Sequence, residues 1–137
     1  VDPNFLKIVQ DGMNAVSNEP GGTAFRSRIT ETGFELAGKT GSAQVRRISM
    51  AERDGGVRKN DALEWRLRDH ALFICFAPVD NPKYALSVVI EHGGSGSGAA
   101  APVARDIMFK ILKRNIVREE AALHPADQLS HNHVEQG

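Results

Sequence analysis

Four consecutive residues in the first third of the chain combine a positive charge with two hydroxyl groups. They are Lys39, Thr40, Gly41 and Ser42. On a strand beside an active site, the ammonium and hydroxyl groups could face a carboxylate and an acyl group, because charged and neutral donors together fix an anion in one orientation. Glycine at position 41 leaves space above the strand for a substrate. We therefore treat residues 39–42 as the candidate site.

The same lysine also completes the phosphate-loop pattern of nucleotide-binding proteins. Residues 33–40 match G-x-x-x-x-G-K-T letter for letter. A phosphate loop follows a buried strand and opens a helix, whereas the segment before it is polar, and Val45 and Ile48 after it are spaced as in a strand. Glu35 would also repel a phosphate. A nucleotide-binding protein stays an alternative, which predicts magnesium-dependent ATP or GTP binding at Lys39.

A second glycine motif lies near the middle of the second half. Residues 94–99 match G-x-G-x-x-A, a pattern found in dinucleotide-binding folds. Too little chain follows it for the rest of such a fold. We therefore expect a glycine turn that lets the next helix pack closely on the sheet.

Several histidines have a simpler structural interpretation. Asp69 and His70 could belong to a catalytic triad, but a structural hydrogen bond at the start of a strand is favoured. His92 directly follows a strand and is predicted to be a packing or turn residue. His131 and His133 would give only two metal ligands on a polar tail, which makes a weak site, and no metal site is predicted.

Two helices are predicted to frame the candidate site. Asp2 can cap and Pro3 can begin an N-terminal helix. Its apolar stripe comprises Phe5, Leu6, Ile8, Val9, Met13 and Val16. A second helix, from about Ala99 to Arg114, supplies an apolar stripe that can cover a sheet.

Three antiparallel strands are predicted, at about 34–47, 71–78 and 84–92. The last two are apolar on both faces, which predicts interior strands covered by helices. Residues 50–68 are charged and contain two glycines, so we expect a mobile loop with one helical turn near 63–67. The predicted fold class is α+β, an antiparallel sheet of three strands packed against helices.

Composition excludes several classes of protein. The 137 residues include 41% hydrophobic and 25% charged residues, and 17 basic residues balance 17 acidic ones, so no basic field indicates nucleic-acid binding. The longest apolar stretch is about half of the ~20 residues that a membrane span needs. Cys75 is the only cysteine and is predicted to be a buried core residue. The first residues, Val-Asp-Pro-Asn, predict a piece of a longer chain.

Residues 36–45, Leu-Ala-Gly-Lys-Thr-Gly-Ser-Ala-Gln-Val, resemble the third motif of class B penicillin-binding proteins. The segments 66–78 and 90–94 are similar to the penicillin-binding protein 2 branch, which works in cell elongation. The agreement runs from about Asn4 to Leu112. The resemblance implies the penicillin-binding protein and β-lactamase-like transpeptidase fold.

The resemblance also implies a division of the chain. Residues 1–116 would be the C-terminal part of a transpeptidase domain, and 117–137 a polar, flexible tail. The intact enzyme would be a D,D-transpeptidase that cross-links peptidoglycan stem peptides through an acyl-serine, without a cofactor, and that β-lactam antibiotics acylate.

Each candidate residue acquires a role from this resemblance. Lys39 would supply positive charge near the catalytic serine, and with Thr40 and Ser42 it would bind the substrate carboxylate. The backbone N–H of Ser42 would form half of the oxyanion hole. Gly41 would allow the substrate to approach closely.

Two motifs of the family are missing from the chain. No lysine has a serine three positions before it, so the Ser-x-x-Lys nucleophile is absent, and Ser130-His-Asn132 matches Ser-x-Asn only by accident in the tail. Ser42 replaces a threonine often found there and keeps the hydroxyl. We therefore expect the fragment alone to be inactive.

The resemblance also implies partners and a location. The partner would be a membrane glycan polymerase of the SEDS family. The chain would lie in the periplasm, as a domain of a protein anchored in the inner membrane. No nucleic-acid partner is expected. Exposed sheet edges predict homo-oligomerisation. A noncatalytic interaction module with the same fold stays open as an alternative.

Overall fold

The computed structural model describes residues 1–123 and confirms the α+β class with three antiparallel strands. In chain order the main elements are α1 (Pro3–Asn18), β1 (Ala37–Ala43), α2 (Met50–Gly55), β2 (His70–Ala77), β3 (Tyr84–Ile90) and α3 (Ala101–Leu123). The strands are ordered β1-β2-β3, and both neighbouring pairs are antiparallel. No helix in this part of the chain is long and apolar enough to cross a membrane.

The central strand β2 divides its side chains between two faces of the sheet. Ala71, Phe73, Cys75 and Ala77 point to what we name the closed face and are buried. There they join Ala100, which directly precedes α3, and Ala101 and Ala104 of its first turn, all of which are also fully buried. Small side chains on the helix let it approach the sheet closely, because no methylene groups separate the two backbones.

The opposite face, which we name the open face, is only partly covered by the described residues. Ile74 of β2 is 50% exposed and Val89 of β3 is 57% exposed. β3 is also paired on one side only within residues 1–123. The prediction of strands covered by helices on both faces is therefore wrong for this part of the chain, since only one face is closed.

Helix α1 begins as predicted. The Asp2 side chain accepts a hydrogen bond of 2.8 Å from the Asn4 N–H, and Pro3 occupies the first turn. Near its end, Met13 and Val16 are half-buried and Ser17 is buried. The first half of the predicted apolar stripe is exposed to between 52% and 66%: Phe5, Leu6, Ile8 and Val9.

Several boundaries differ from the sequence predictions. Strand β1 spans only Ala37–Ala43 and not the predicted 34–47, because its pairing with β2 ends at Ala43, opposite His70. Helix α3 continues to Leu123, beyond the predicted end at 114, so residues 117–123 of the predicted tail are helical and 124–137 lie outside the described residues. The segment 50–68 includes α2, which the sequence did not predict, and a short turn at Trp65–Leu67 where one was expected.

Candidate functional site

The candidate residues Lys39 to Ser42 lie on β1, at one edge of the described sheet. Their strand pairs with β2, with Thr40 opposite Phe73 and Ser42 opposite Ala71. No helix begins at Lys39, because the strand continues through it to Ala43. The phosphate-loop interpretation is therefore wrong, since such a loop needs its lysine at the start of a helix.

The backbone of β1 has one side against β2 and one side free of it. A Cβ atom placed on Gly96 would lie 2.5 Å from the carbonyl oxygens of both Gly41 and Leu72, and 2.9 Å from the Gly41 nitrogen. The backbone groups of Gly41 thus lie beside those of Leu72 and face β2. Because these groups alternate along a strand, the N–H groups of Thr40 and Ser42 face the outer edge.

Side chains alternate as well, so Thr40 and Ser42 share a face and Lys39 points to the other. The Lys39 ammonium nevertheless reaches the outer edge, because it donates at 2.7 Å to the Thr40 carbonyl oxygen, which faces that edge as the Thr40 N–H does. Lys39 and Ser42 are exposed, and Thr40 is half-buried. A charged donor, a hydroxyl and an outward N–H are thus available along one strand edge.

The hydroxyl of Thr23, which sequence analysis missed, completes this arrangement. Its Oγ1 lies 2.8 Å from Oγ1 of Thr40, within hydrogen-bonding distance. Thr23 follows two glycines in the turn after α1. The glycine pair signals a turn, but no local pattern indicates that the turn reaches a strand 17 residues away.

The glycines of the second motif have a structural role, as predicted. Gly96 begins a π-helical turn, Gly96–Ala100, which leads into α3. The backbones of β1 and β2 occupy the space that a side chain at position 96 would need. Any residue other than glycine would therefore force the backbone to shift. The preceding strand, β3, runs antiparallel to β2, which rules out the parallel unit of a dinucleotide-binding site.

Asp69 and His70 do not form a catalytic pair. The Asp69 N–H donates to Asn60 Oδ1 at 2.8 Å, and Asn60 Nδ2 donates to Asp69 Oδ2 at 3.1 Å. His70 Nδ1 instead accepts from the backbone N–H of His92 at 2.9 Å. His92 has a positive φ of 55°, which confirms it as a turn residue. The Gly94 N–H also donates to the Asp69 carbonyl oxygen at 2.8 Å, which joins the loop before β2 to the turn after β3.

Other potentially reactive groups are accounted for by burial or lie outside the described residues. Cys75 is buried in the core as predicted, and this burial raises the pKa of its thiol to about 11. Within residues 1–123, no three His, Cys, Asp or Glu side chains are grouped so that they could hold a metal ion. His131, His133 and the Ser130-His-Asn132 match fall in the segment that the structure does not describe.

The segment that leaves β1 is fixed by a largely buried ion pair. Arg46 donates to both oxygens of Glu52, at 2.7 and 2.6 Å. The backbone N–H of Arg58 also donates a hydrogen bond of 3.2 Å to Glu52 Oε1. These hydrogen bonds, from Arg46 first and then from the Arg58 backbone, lower the pKa of Glu52 to about 2. Residues 46–58 are therefore tied together by charge beside the candidate site.

Comparisons with known proteins give a consistent result. Residues 1–109 match the penicillin binding protein transpeptidase domain family. The chain is 38% identical over 118 residues to the peptidoglycan D,D-transpeptidase MrdA of Haemophilus influenzae, which covers 85% of this chain and 17% of that protein. The chain therefore spans less than a fifth of that relative's length.

Solved structures show the same fold. One is Pseudomonas aeruginosa PBP2 in complex with WCK 5153, with a TM-score of 0.56 and 37% identity, covering 78% of this chain and 19% of that one. Another is a complex between PBP2 and MreC from Helicobacter pylori, with a TM-score of 0.63 and 31% identity, covering 80% and 17%. Since the family match covers residues 1–109 and so includes all three strands of the sheet, the chain belongs to the penicillin-binding protein transpeptidase domain family.

Proposed function

We propose that the protein containing this chain is a peptidoglycan D,D-transpeptidase. The observation that best supports this is the edge position of Lys39, Thr40 and Ser42 on β1, in a chain 38% identical to a D,D-transpeptidase. The substrate would be the D-Ala-D-Ala end of a stem peptide, and β-lactams would imitate that acyl donor.

The reaction has two steps, and its nucleophile lies outside these residues. A serine Oγ attacks the carbonyl carbon between the two D-alanines, and the terminal D-alanine leaves as an amine that takes up a proton. An amine of a neighbouring stem peptide then attacks the acyl-serine and restores the serine hydroxyl. No Ser-x-x-Lys occurs in the 137 residues, so the serine must come from another part of the protein.

The groups on β1 fit distinct requirements of this reaction. The terminal carboxylate of the donor needs a cation and hydroxyl donors, which Lys39, Thr40 and Ser42 provide. The oxyanion that forms on the attacked carbonyl needs N–H donors that no strand partner occupies. The outward N–H of Ser42 meets that requirement, and Gly41 adds no side chain that would block the approach.

Location and partners follow from the same assignment. We propose that the domain acts in the periplasm, tethered to the inner membrane, beside a SEDS-family glycan polymerase. The Helicobacter pylori neighbour was solved with MreC, which makes a complex of that kind a further expectation. For the isolated chain, the side of β3 that has no partner strand within residues 1–123 supports homo-oligomerisation through sheet edges.

Covalent labelling with a fluorescent penicillin tests the proposal. We expect the full-length protein to be labelled and the isolated 137 residues to remain unlabelled. Lys39→Ala in the full-length protein should slow labelling by roughly 10²-fold or more, because it removes the positive charge beside the serine and the donor's carboxylate, and the loss of one electrostatic group from an active site has an effect of that size. Lys59→Ala, a matched change at an exposed lysine of the loop, should have no effect.

Two results would contradict the proposal. A full-length protein that is not labelled, although it is folded, would favour the noncatalytic interaction module. Labelling of the isolated chain would show that a nucleophile within these residues had been overlooked.

A further inference from the structure

The turn that bears Thr23 is held rigidly against the end of α1. The Ala24 N–H donates to the Val16 carbonyl oxygen at 3.0 Å, and Ala24 is buried. A Cβ atom on Gly22 would lie 2.3 Å from that same oxygen, so the backbones are in close contact. Thr23, placed between these two residues, therefore has little freedom to move away.

A second contact fixes this end of α1 to the site strand. The Asn18 side-chain amide donates to the Leu36 carbonyl oxygen at 2.9 Å, one residue before β1 begins. The Asn14 side chain accepts a second hydrogen bond from the same amide, at 2.7 Å. The distance of 2.8 Å between the Thr23 and Thr40 hydroxyl oxygens is thus set by packing on both sides.

The direction of this hydroxyl bond decides what Thr40 can offer to a ligand. A threonine hydroxyl has one proton to donate and two lone pairs that accept. A carboxylate can only accept, so Thr40 binds it only by donating its proton. Thr40 must then act as acceptor toward Thr23, and the Thr23 hydroxyl must be the donor.

We propose that Thr23 is a positioning residue whose hydroxyl donates to Thr40 and so directs the Thr40 proton toward the terminal carboxylate of the acyl donor. This inference rests on the proposed function. A hydroxyl that accepts one hydrogen bond is also a better donor for the next, because the two bonds polarise each other. Thr23 acts through Thr40 and does not need to touch the substrate.

The test compares two ligands that differ only in the carboxylate. Acylation of the full-length protein is followed with benzylpenicillin and with its methyl ester, at concentrations that separate the binding constant from the acylation rate constant. The variant Thr23→Val keeps the branched shape and removes the hydroxyl. We expect benzylpenicillin to bind roughly 2- to 10-fold more weakly, the effect of one lost hydrogen bond. The acylation rate constant and the binding of the ester should change little, since an equal loss in ground and transition states appears in binding alone.

Three controls separate positioning from a general effect on the fold. Thr23→Ser keeps the hydroxyl and should restore benzylpenicillin binding. Thr32→Val removes the hydroxyl from another exposed threonine and should change neither ligand. Misfolding of Thr23→Val would weaken the binding of benzylpenicillin and of its methyl ester alike. In that case Thr23→Ala serves as the second variant for the same comparison.

The outcomes distinguish this inference from the function on which it rests. If the unchanged protein is not acylated by benzylpenicillin, the proposed function fails and this inference fails with it. If the unchanged protein is acylated and Thr23→Val binds benzylpenicillin as tightly as before, only the inference about Thr23 is overturned. An equal loss for acid and ester in a folded variant also overturns it.

Discussion

The two faces of the sheet are built from the same three strands but have opposite surroundings. On the closed face, Phe73 of β2 is fully buried in a core cluster that includes Ala101, Ala104, Met108 and Leu112 of α3. On the open face, the next residue along the strand, Ile74, is half exposed. The difference shows that a strand can be apolar on both faces and yet be covered on only one of them by residues 1–123.

A second set of exposed apolar side chains lies on α1. Phe5, Leu6, Ile8 and Val9 form an exposed apolar surface, which monomeric proteins seldom leave uncovered when it is large. The chain spans less than a fifth of its Haemophilus influenzae relative.

Truncating neighbouring residues on β2 is the strongest test of this contrast. Phe73→Ala should lower the free energy of unfolding by about 3–5 kcal/mol, because the ring is fully buried and Gly38 beneath it has no side chain to fill the cavity. Ile74→Ala should cost roughly 1 kcal/mol or less, because half of that side chain is already in water. Urea unfolding of the 137-residue chain, followed by circular dichroism, measures both changes. Equal losses at the two positions would contradict the division into closed and open faces.

The fit between α3 and the sheet can be tested with a single methyl group. Gly96→Ala would place that methyl 2.5 Å from two backbone oxygens, so we expect a loss of about 1–3 kcal/mol, typical of overpacking. The matched control is Gly98→Ala, whose methyl would meet only the Ser95 side chain, at 3.6 Å. Comparable unfolding curves for the two variants would show that the helix can move away from the sheet at little cost.

How far the sequence could predict the structure depends on what stabilises each element. The three strands and the start of α1 follow from apolar runs and a cap, which are local signals. Helix α2 also has a local cap, since the Ser49 hydroxyl accepts from the Glu52 N–H, but its six residues are too few for an apolar period, and the ion pair between Arg46 and Glu52 that holds it leaves no such pattern.

The candidate site shows the same limit. Lys39, Thr40 and Ser42 were recognisable because the motif is contiguous and falls in a predicted strand. The contact between Thr23 and Thr40 was not predictable, since it requires a turn, the end of α1 and β1 to meet. Long-range contacts between polar side chains leave no pattern in one sequence.

The smallest effect is expected where charge, rather than apolar burial, holds the chain. Glu52 has a pKa of about 2 in the folded protein, compared with an ordinary value of 4.5. The folded state therefore binds this proton more weakly than the unfolded state, so the ion pair contributes fully above pH 4.5 and loses its contribution as the pH falls toward 2. The buried β2 residues of the closed face include no carboxylate, so their packing should not change directly as the pH falls.

Amide hydrogen exchange can separate these two behaviours within one sample. Between pH 6 and about 2.5, protection of amides in residues 50–58 should fall, whereas protection of the β2 amides that flank Phe73 should persist. Glu52→Gln removes the titrating group and should leave the segment equally loosened at every pH. If residues 50–58 of the unchanged protein keep their protection at pH 2.5, then packing holds this segment and the carboxylate of Glu52 does not. The contrast between a segment held by charge and a closed face held by apolar burial would then be wrong.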